Sequence, residues 1–131
     1  MSGEAKYIQP GHHTLTTVLH GGCEAIEFVT SVFDAQVTQA PTPGTAGNLH
    51  AEVEIGDSRL LIGKGYWTDD SMKSAIWIYV PDADATYRRA LSKGATSVRE
   101  PADHSWGDRV CGIKDPDGNT WWIATHRPPP R

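Results

Sequence analysis

Three groups of residues in this sequence have the types and spacing to do chemistry. His50 and Glu52 stand two apart in the run Leu49–Ile55, where Leu49, Ala51, Val53 and Ile55 alternate with His50, Glu52 and Glu54. Alternate residues of a strand share a face. The imidazole and the carboxylate could therefore form a hydrogen-bonded acid/base pair, or two ligands of an unconventional metal site; an exposed polar edge would read the same way. In Trp106-Gly107-Asp108-Arg109, the glycine permits a close approach, Asp108 could pin Arg109 by an ion pair, and Arg109 could then hold an anionic or carbonyl group. The alternative is a loop clip with Trp106 as its lid. His50, Glu52 and Arg109 are thus the catalytic candidates. The third group is aromatic: Trp77 and Tyr79 share a strand face with Ala75, and Trp121-Trp122 open the last strand. Five Trp in 131 residues need an explanation, either as core filling or as flat surfaces for a planar ligand.

Composition removes several classes of function. The formal net charge is -4 and no Lys/Arg cluster is present, so no nucleic-acid partner is expected. No run of about eighteen apolar residues offers a membrane span, and Met1–Pro10 lacks the basic-then-apolar order of a signal peptide. Cys23 and Cys111 form no metal-type pair, which points to a reduced, cytoplasmic protein. Cys111 reads as a small buried hydrophobe; Cys23, at a helix start, has no base nearby. Most of the histidines read as packed or solvated. The exception is His126, in phase with Trp122 and Ala124.

These side chains must be positioned by short elements, and thirteen Gly and nine Pro suit many strands and turns. Strands are expected over His12–Leu19, Ala35–Ala40, Leu49–Ile55, Arg59–Gly63, Ser74–Val80, Ala95–Arg99, Asp108–Lys114 and Thr120–Thr125, with loops over Pro41–Gly47 and Pro101–Gly107. A helix over Cys23–Phe33 has Ala25, Ile26, Val29 and Phe33 as its stripe. A second starts at Pro81 and runs to about Lys93, with Ala83, Tyr87, Ala90 and Leu91 inward, and Gly94 ends it. The order strand, helix, strand, strand, strand occurs twice. Residues 1–131 read as a single domain: module one about 12–63, a linker over 64–73 and module two about 74–126. The fold class is α+β, with two βαβββ modules forming curled mixed sheets around a cleft and helices outside.

The chain resembles the vicinal oxygen chelate superfamily, in its glyoxalase/bleomycin-resistance branch and its PhnB-like members. The resemblance is carried by Ala25-Ile26-Glu27-Phe28, His50-Ala51-Glu52, Ile55-Gly56-Asp57-Ser58, Trp106-Gly107-Asp108-Arg109, Asp115-Pro116-Asp117-Gly118-Asn119 and Ile123-Ala124-Thr125-His126. It implies a cleft, and in metal-using members a divalent ion held from the first and last strands of each module. Those positions fall here near Thr14, on Ile62 or Gly63, near Ala75 and on Trp122, none of them a good ligand. No metal and no cofactor is therefore expected. Their strand neighbours would face the cleft, which places Thr14, Trp77, Tyr79 and Trp122 among the ligand-binding residues. Trp106 and Arg109 would stand at its mouth, and Tyr66 and Trp67 of the linker would cap it or seal a dimer. The resemblance also implies a homodimer.

The function expected is metal-independent binding of a small planar aromatic molecule, for drug sequestration or for carrying a specialised metabolite. The alternative is a glyoxalase- or dioxygenase-like enzyme with a non-standard metal set, such as His50, Glu52 and His126, or with an acid/base site. A dimeric protein with a vestigial, self-filled cleft is the third reading.

Overall fold

Apolar alternation and two short amphipathic helices dictate the architecture of each half. The computed structural model describes residues 6–43, 49–65 and 67–127. The first half contains β1 (Thr17–His20), α1 (Cys23–Phe33), β2 (Gln36–Pro43), β3 (Leu49–Ile55) and β4 (Ser58–Lys64). The second contains β5 (Ala75–Tyr79), α2 (Ala83–Ser92), β6 (Thr96–Asp103), β7 (Asp108–Lys114) and β8 (Thr120–His126). Two four-stranded mixed sheets result, ordered β1-β4-β3-β2 and β5-β8-β7-β6. In each, the first strand lies parallel to the last and the remaining pairs are antiparallel. The repeated βαβββ order is therefore real, and the fold is α+β.

One face of each sheet packs on its helix. Leu19, Ala51, Val53, Leu60 and Ile62 meet Ile26, Val29, Val32 and Phe33 in the first half; Cys111, Ile113, Trp121 and Ile123 meet Ala83 and Ala90 in the second. The two sets form one cluster, joined where the Phe33 and Trp121 rings lie 4.5 Å apart. The Asp-Pro-Asp-Gly-Asn turn clips the halves together. Asp115 accepts hydrogen bonds from the backbone of Asp117 and Asn119 and from the Trp121 indole. Buried Asn119 accepts from the Ser74 backbone and donates to the His20 carbonyl. Among the described residues no helix is long and apolar enough to cross a membrane.

Several boundaries differ from expectation. β1 starts at Thr17 rather than His12, so Thr14 is exposed and precedes the strand. β2 runs on to Pro43, and the rest of the expected loop, 44–48, lies outside the described residues. β6 continues through Pro101 to Asp103. It is an edge strand with an irregular register between Arg99 and Ala102, where a missing N–H is tolerated. Pro81 precedes α2, whose N-cap is Asp82, accepting from the Ala85 N–H. Thr86 takes the buried position assigned to Leu91, which is exposed. Gly94 ends α2 at φ +100°, a backbone angle that side chains resist.

Candidate functional site

Strand register decides which aromatic side chains are core and which are available. Trp121 and Ile123 point to the helix side, so Trp122 and Ala124 point to the open face. Trp77 pairs with Trp122 and Tyr79 with Ala124. Gly112, Val110 and Asp108 face Trp122, Ala124 and His126 across the other ladder. Trp77, Tyr79 and Trp122 thus share the face expected from their alternation, while Trp121 is buried in the core. The Trp122 ring lies against Gly112, where an added Cβ would come within 2.5 Å of it. The Arg99 guanidinium sits 5.5 Å over the same indole. Trp106 stacks on His104, their ring centroids 4.5 Å apart. A cavity of about 190 Å³ opens between Trp77, Trp106, Trp122, Val110, Arg99 and His104. Every residue lining it belongs to the second half of the chain. Its walls are strongly exposed: 45% of Trp77, 56% of Trp106 and, beside it, 61% of Tyr79.

Asp108 anchors this face from beneath. One carboxylate oxygen accepts from Tyr79 Oη at 3.0 Å and Trp106 Nε1 at 2.9 Å, and the other meets His126 Nδ1 at 2.7 Å. The hydrogen bond from His126, aided by those from Trp106 and Tyr79, holds the Asp108 carboxyl below its ordinary range. The expected Asp108–Arg109 ion pair does not form, because adjacent strand residues point to opposite faces. Arg109 turns to the helix side, where its guanidinium forks onto Asp84 at 2.6 and 3.0 Å and reaches Asp103 at 3.2 Å. It is engaged there rather than offered to an anion at the cleft mouth. Asp108 as the hub of the aromatic face was missed in the sequence. The available signal was its phase: two residues before Val110 and four before Gly112, on the open side of β7.

The open face of the first sheet is polar. Glu52 is buried and ion-paired with Arg59; it also meets His12 Nε2 at 3.1 Å and accepts from Thr38 at 3.3 Å. Burial alone would raise the Glu52 pKa, but the Arg59 hydrogen bond and the His12 charge together bring it below its ordinary range. A carboxylate so neutralised is a poor general base. Gly11 packs on the Arg59 guanidinium, so the N-terminal arm lies over this network. His50 faces Gly63 across the ladder, and Glu52 faces Leu61. On the same face His20 joins the linker to β1: Nδ1 is 2.8 Å from Thr68 Oγ1 and Nε2 2.8 Å from Asp70.

A larger cavity, about 610 Å³, follows the unpaired edge of β5 where the two halves meet, beside Phe33, Arg59, Ile76, Ile78 and Trp121. Thr14 and Trp67 line neither cavity; Trp67 is exposed in the linker, and Tyr66 lies outside the described residues. The family's metal corners do not fit a divalent ion. Ile62 is buried on the helix side, which leaves Gly63 as the second corner, and Thr14, Gly63, Ala75 and Trp122 offer neither imidazole nor carboxylate. His50 and Glu52 belong to one sheet and His126 to the other, and among the described residues no three His, Cys, Asp or Glu side chains converge as a metal set. Cys111 is buried against the Ala83 and Ile123 carbonyls, and burial pushes its thiol up to about 11.

Comparison with known proteins agrees with this architecture. The chain is similar to an uncharacterized protein of Mycobacterium bovis, 34% identical over 119 residues, covering 82% of this chain and 78% of that one. Among solved structures it is similar to TioX from Micromonospora, with TM-score 0.68, 21% identity and coverage of 86% and 97% of the two chains. It is also similar to the fosfomycin resistance protein FosX of Mesorhizobium loti, with TM-score 0.61, 20% identity and coverage of 88% and 91%. The profile of the glyoxalase/bleomycin resistance protein/dioxygenase superfamily matches residues 23–123, and the chain belongs to that superfamily.

Proposed function

We propose that this protein binds a small planar aromatic molecule without a metal, stacking it on the open face of the second sheet. The observation that carries the reading is the exposure of Trp77, Tyr79 and Trp106 around an apolar slot, while Trp121 is withdrawn into the core. Large exposed aromatic patches mark binding surfaces. Indole and phenol rings bury much area at little entropic cost. Arg99 and His104 add polar groups able to orient a ligand at the slot.

A slot of about 190 Å³ is smaller than the roughly 300–1,000 Å³ of complete ligand sites. Trp77, Trp106 and Trp122 line it, and the first half of the chain contributes nothing to it. A second copy supplies the missing wall in this reading, and the protein acts as a homodimer. β1 and β5 each end their sheet with an unpaired edge, the element through which such copies can join. Two free cysteines suit a cytoplasmic location. The PhnB-like assignment within the superfamily rests on the sequence motifs alone.

Titration with a panel of planar antibiotics, followed by tryptophan fluorescence, tests the reading. Quenching that is saturable in the wild type and weakened in Trp77→Ala and Trp122→Ala supports it. Saturable binding that survives both substitutions contradicts it.

A further inference from the structure

The Asp108–His126 pair at the end of the aromatic face is built as a base. Asp108 is buried and accepts from Tyr79, Trp106 and His126. An ionised carboxylate only accepts, so His126 Nδ1, at 2.7 Å, carries the hydrogen. In the neutral ring the lone pair is then on Nε2. The His126 side chain is 58% exposed, and among the described residues Nε2 has no hydrogen-bond partner. A carboxylate behind an imidazole fixes its tautomer and stabilises the imidazolium once a proton arrives. Trp122, Ala124 and His126 follow one another on the same face, so His126 lies roughly 13 Å along the strand from Trp122. Between them Ala124 is fully buried, and the exposed surface is Tyr79, which pairs with it and reaches on to Asp108. A planar molecule of two or three rings, seated on Trp77 and lying over Tyr79, brings its far edge to Nε2. The other charged groups nearby are turned elsewhere: Arg109 is held by Asp84 and Asp103 on the helix side, and Arg99 lies over Trp122.

We propose that His126 Nε2, positioned by Asp108, accepts the acidic proton of a hydroxyaromatic ligand stacked on this face. This rests on the stacking reading above and names its ligand class. In the step the ligand O–H bond breaks, the proton passes to Nε2, and its electron pair stays on oxygen. The product is a phenolate beside an imidazolium held by Asp108. Asp108 is a positioning residue, since it touches only His126 and the ring donors.

The test uses 7-hydroxycoumarin, a planar two-ring phenol whose ionisation lies near neutral pH and is read from its near-ultraviolet absorption, with tryptophan quenching recorded on the same samples. In the wild type the bound phenol is expected to ionise about one pH unit or more below the free phenol, as neighbouring positive charge requires. In His126→Gln quenching should remain and the shift should vanish. In Asp108→Asn the shift should shrink, and nitrogen-15 NMR of the histidines should show His126 leaving its Nδ1–H tautomer. Quenching without an ionisation shift, or the same shift in His126→Gln, overturns the inference and leaves the stacking reading intact. No quenching in the wild type overturns both for this ligand class. A wild-type His126 found as the Nε2–H tautomer also overturns the inference.

Discussion

The two sheets are built alike, yet their open faces are opposites. The first is polar and already satisfied: Arg59 and His12 hold Glu52, Thr68 and Asp70 hold His20, and the N-terminal arm lies over Arg59. The second is aromatic and uncovered, with Trp77, Tyr79 and Trp106 exposed and the Tyr79 hydroxyl and Trp106 indole N–H gathered onto one buried carboxylate. A charge buried among partners has little left to offer a ligand, since its neutralisation repays its desolvation. Exposed aromatic area has its whole hydrophobic gain still to realise. This contrast is the reason for proposing that binding belongs to the second sheet and that the first has a structural role.

Four changes, with Trp77→Ala as the control for the first, would break or sharpen that contrast. The largest effect belongs to Trp121→Ala, which opens a cavity between the two halves beside Phe33 and should cost about 3–5 kcal/mol in a urea melt. Trp77→Ala, on a half-exposed ring, should leave the melt nearly unchanged. Next comes Glu52→Gln, which leaves Arg59 and His12 facing a neutral amide and should cost about 1–3 kcal/mol, read in the same melts, with ligand binding intact. Third, Gly112→Ala should lift the Trp122 ring off the sheet, since the new Cβ would meet it at 2.5 Å. Planar ligands should then bind about tenfold more weakly, measured by calorimetry. The smallest effect is Arg99→Ala, which removes one cation from Trp122 and should change stability by about 0.5–1 kcal/mol.

Acid should expose the carboxylates that hold both faces. Arg109 hydrogen bonds lower Asp84, the His126 hydrogen bond lowers Asp108, and Arg59 with His12 outweighs burial at Glu52. Each folded pKa lies below its unfolded value, so each contribution is complete above the ordinary carboxylate range and is lost as pH falls through the lowered value. Asp117 runs the other way: burial, with Asp115 nearby, raises it, so its contribution is present at low pH and lost as pH rises through the raised value. The melting temperature should therefore fall on acidification below the ordinary carboxylate range, and Glu52→Gln should make that fall shallower.

The fold was largely legible because its signals are local. Alternation placed β3 and β7 to the residue, and the helical period of Ile26, Val29 and Phe33 placed α1. Pro101 misled because its cost depends on whether a strand is central or at an edge, which one strand's sequence does not reveal. Leu91 misled because α2 buries small side chains, Ala83, Thr86 and Ala90, rather than its largest apolar ones. At the site, alternation put Trp77, Tyr79 and Trp122 on one face. It would also have separated Arg109 from Asp108, had adjacency not suggested a pair. The partners of Glu52 and Asp108 were beyond reach, since His12 and Tyr79 arrive from forty and twenty-nine residues away.

The five tryptophans provide the most direct measurement. Their indole N–H resonances, recorded by nitrogen-15 NMR while the tightest-binding planar antibiotic of the panel is added, report each ring separately. The account predicts that Trp77, Trp106 and Trp122 shift together along one saturation curve while Trp121 stays in place. Saturable binding that moves Trp121, or that leaves Trp77, Trp106 and Trp122 unmoved, would contradict it.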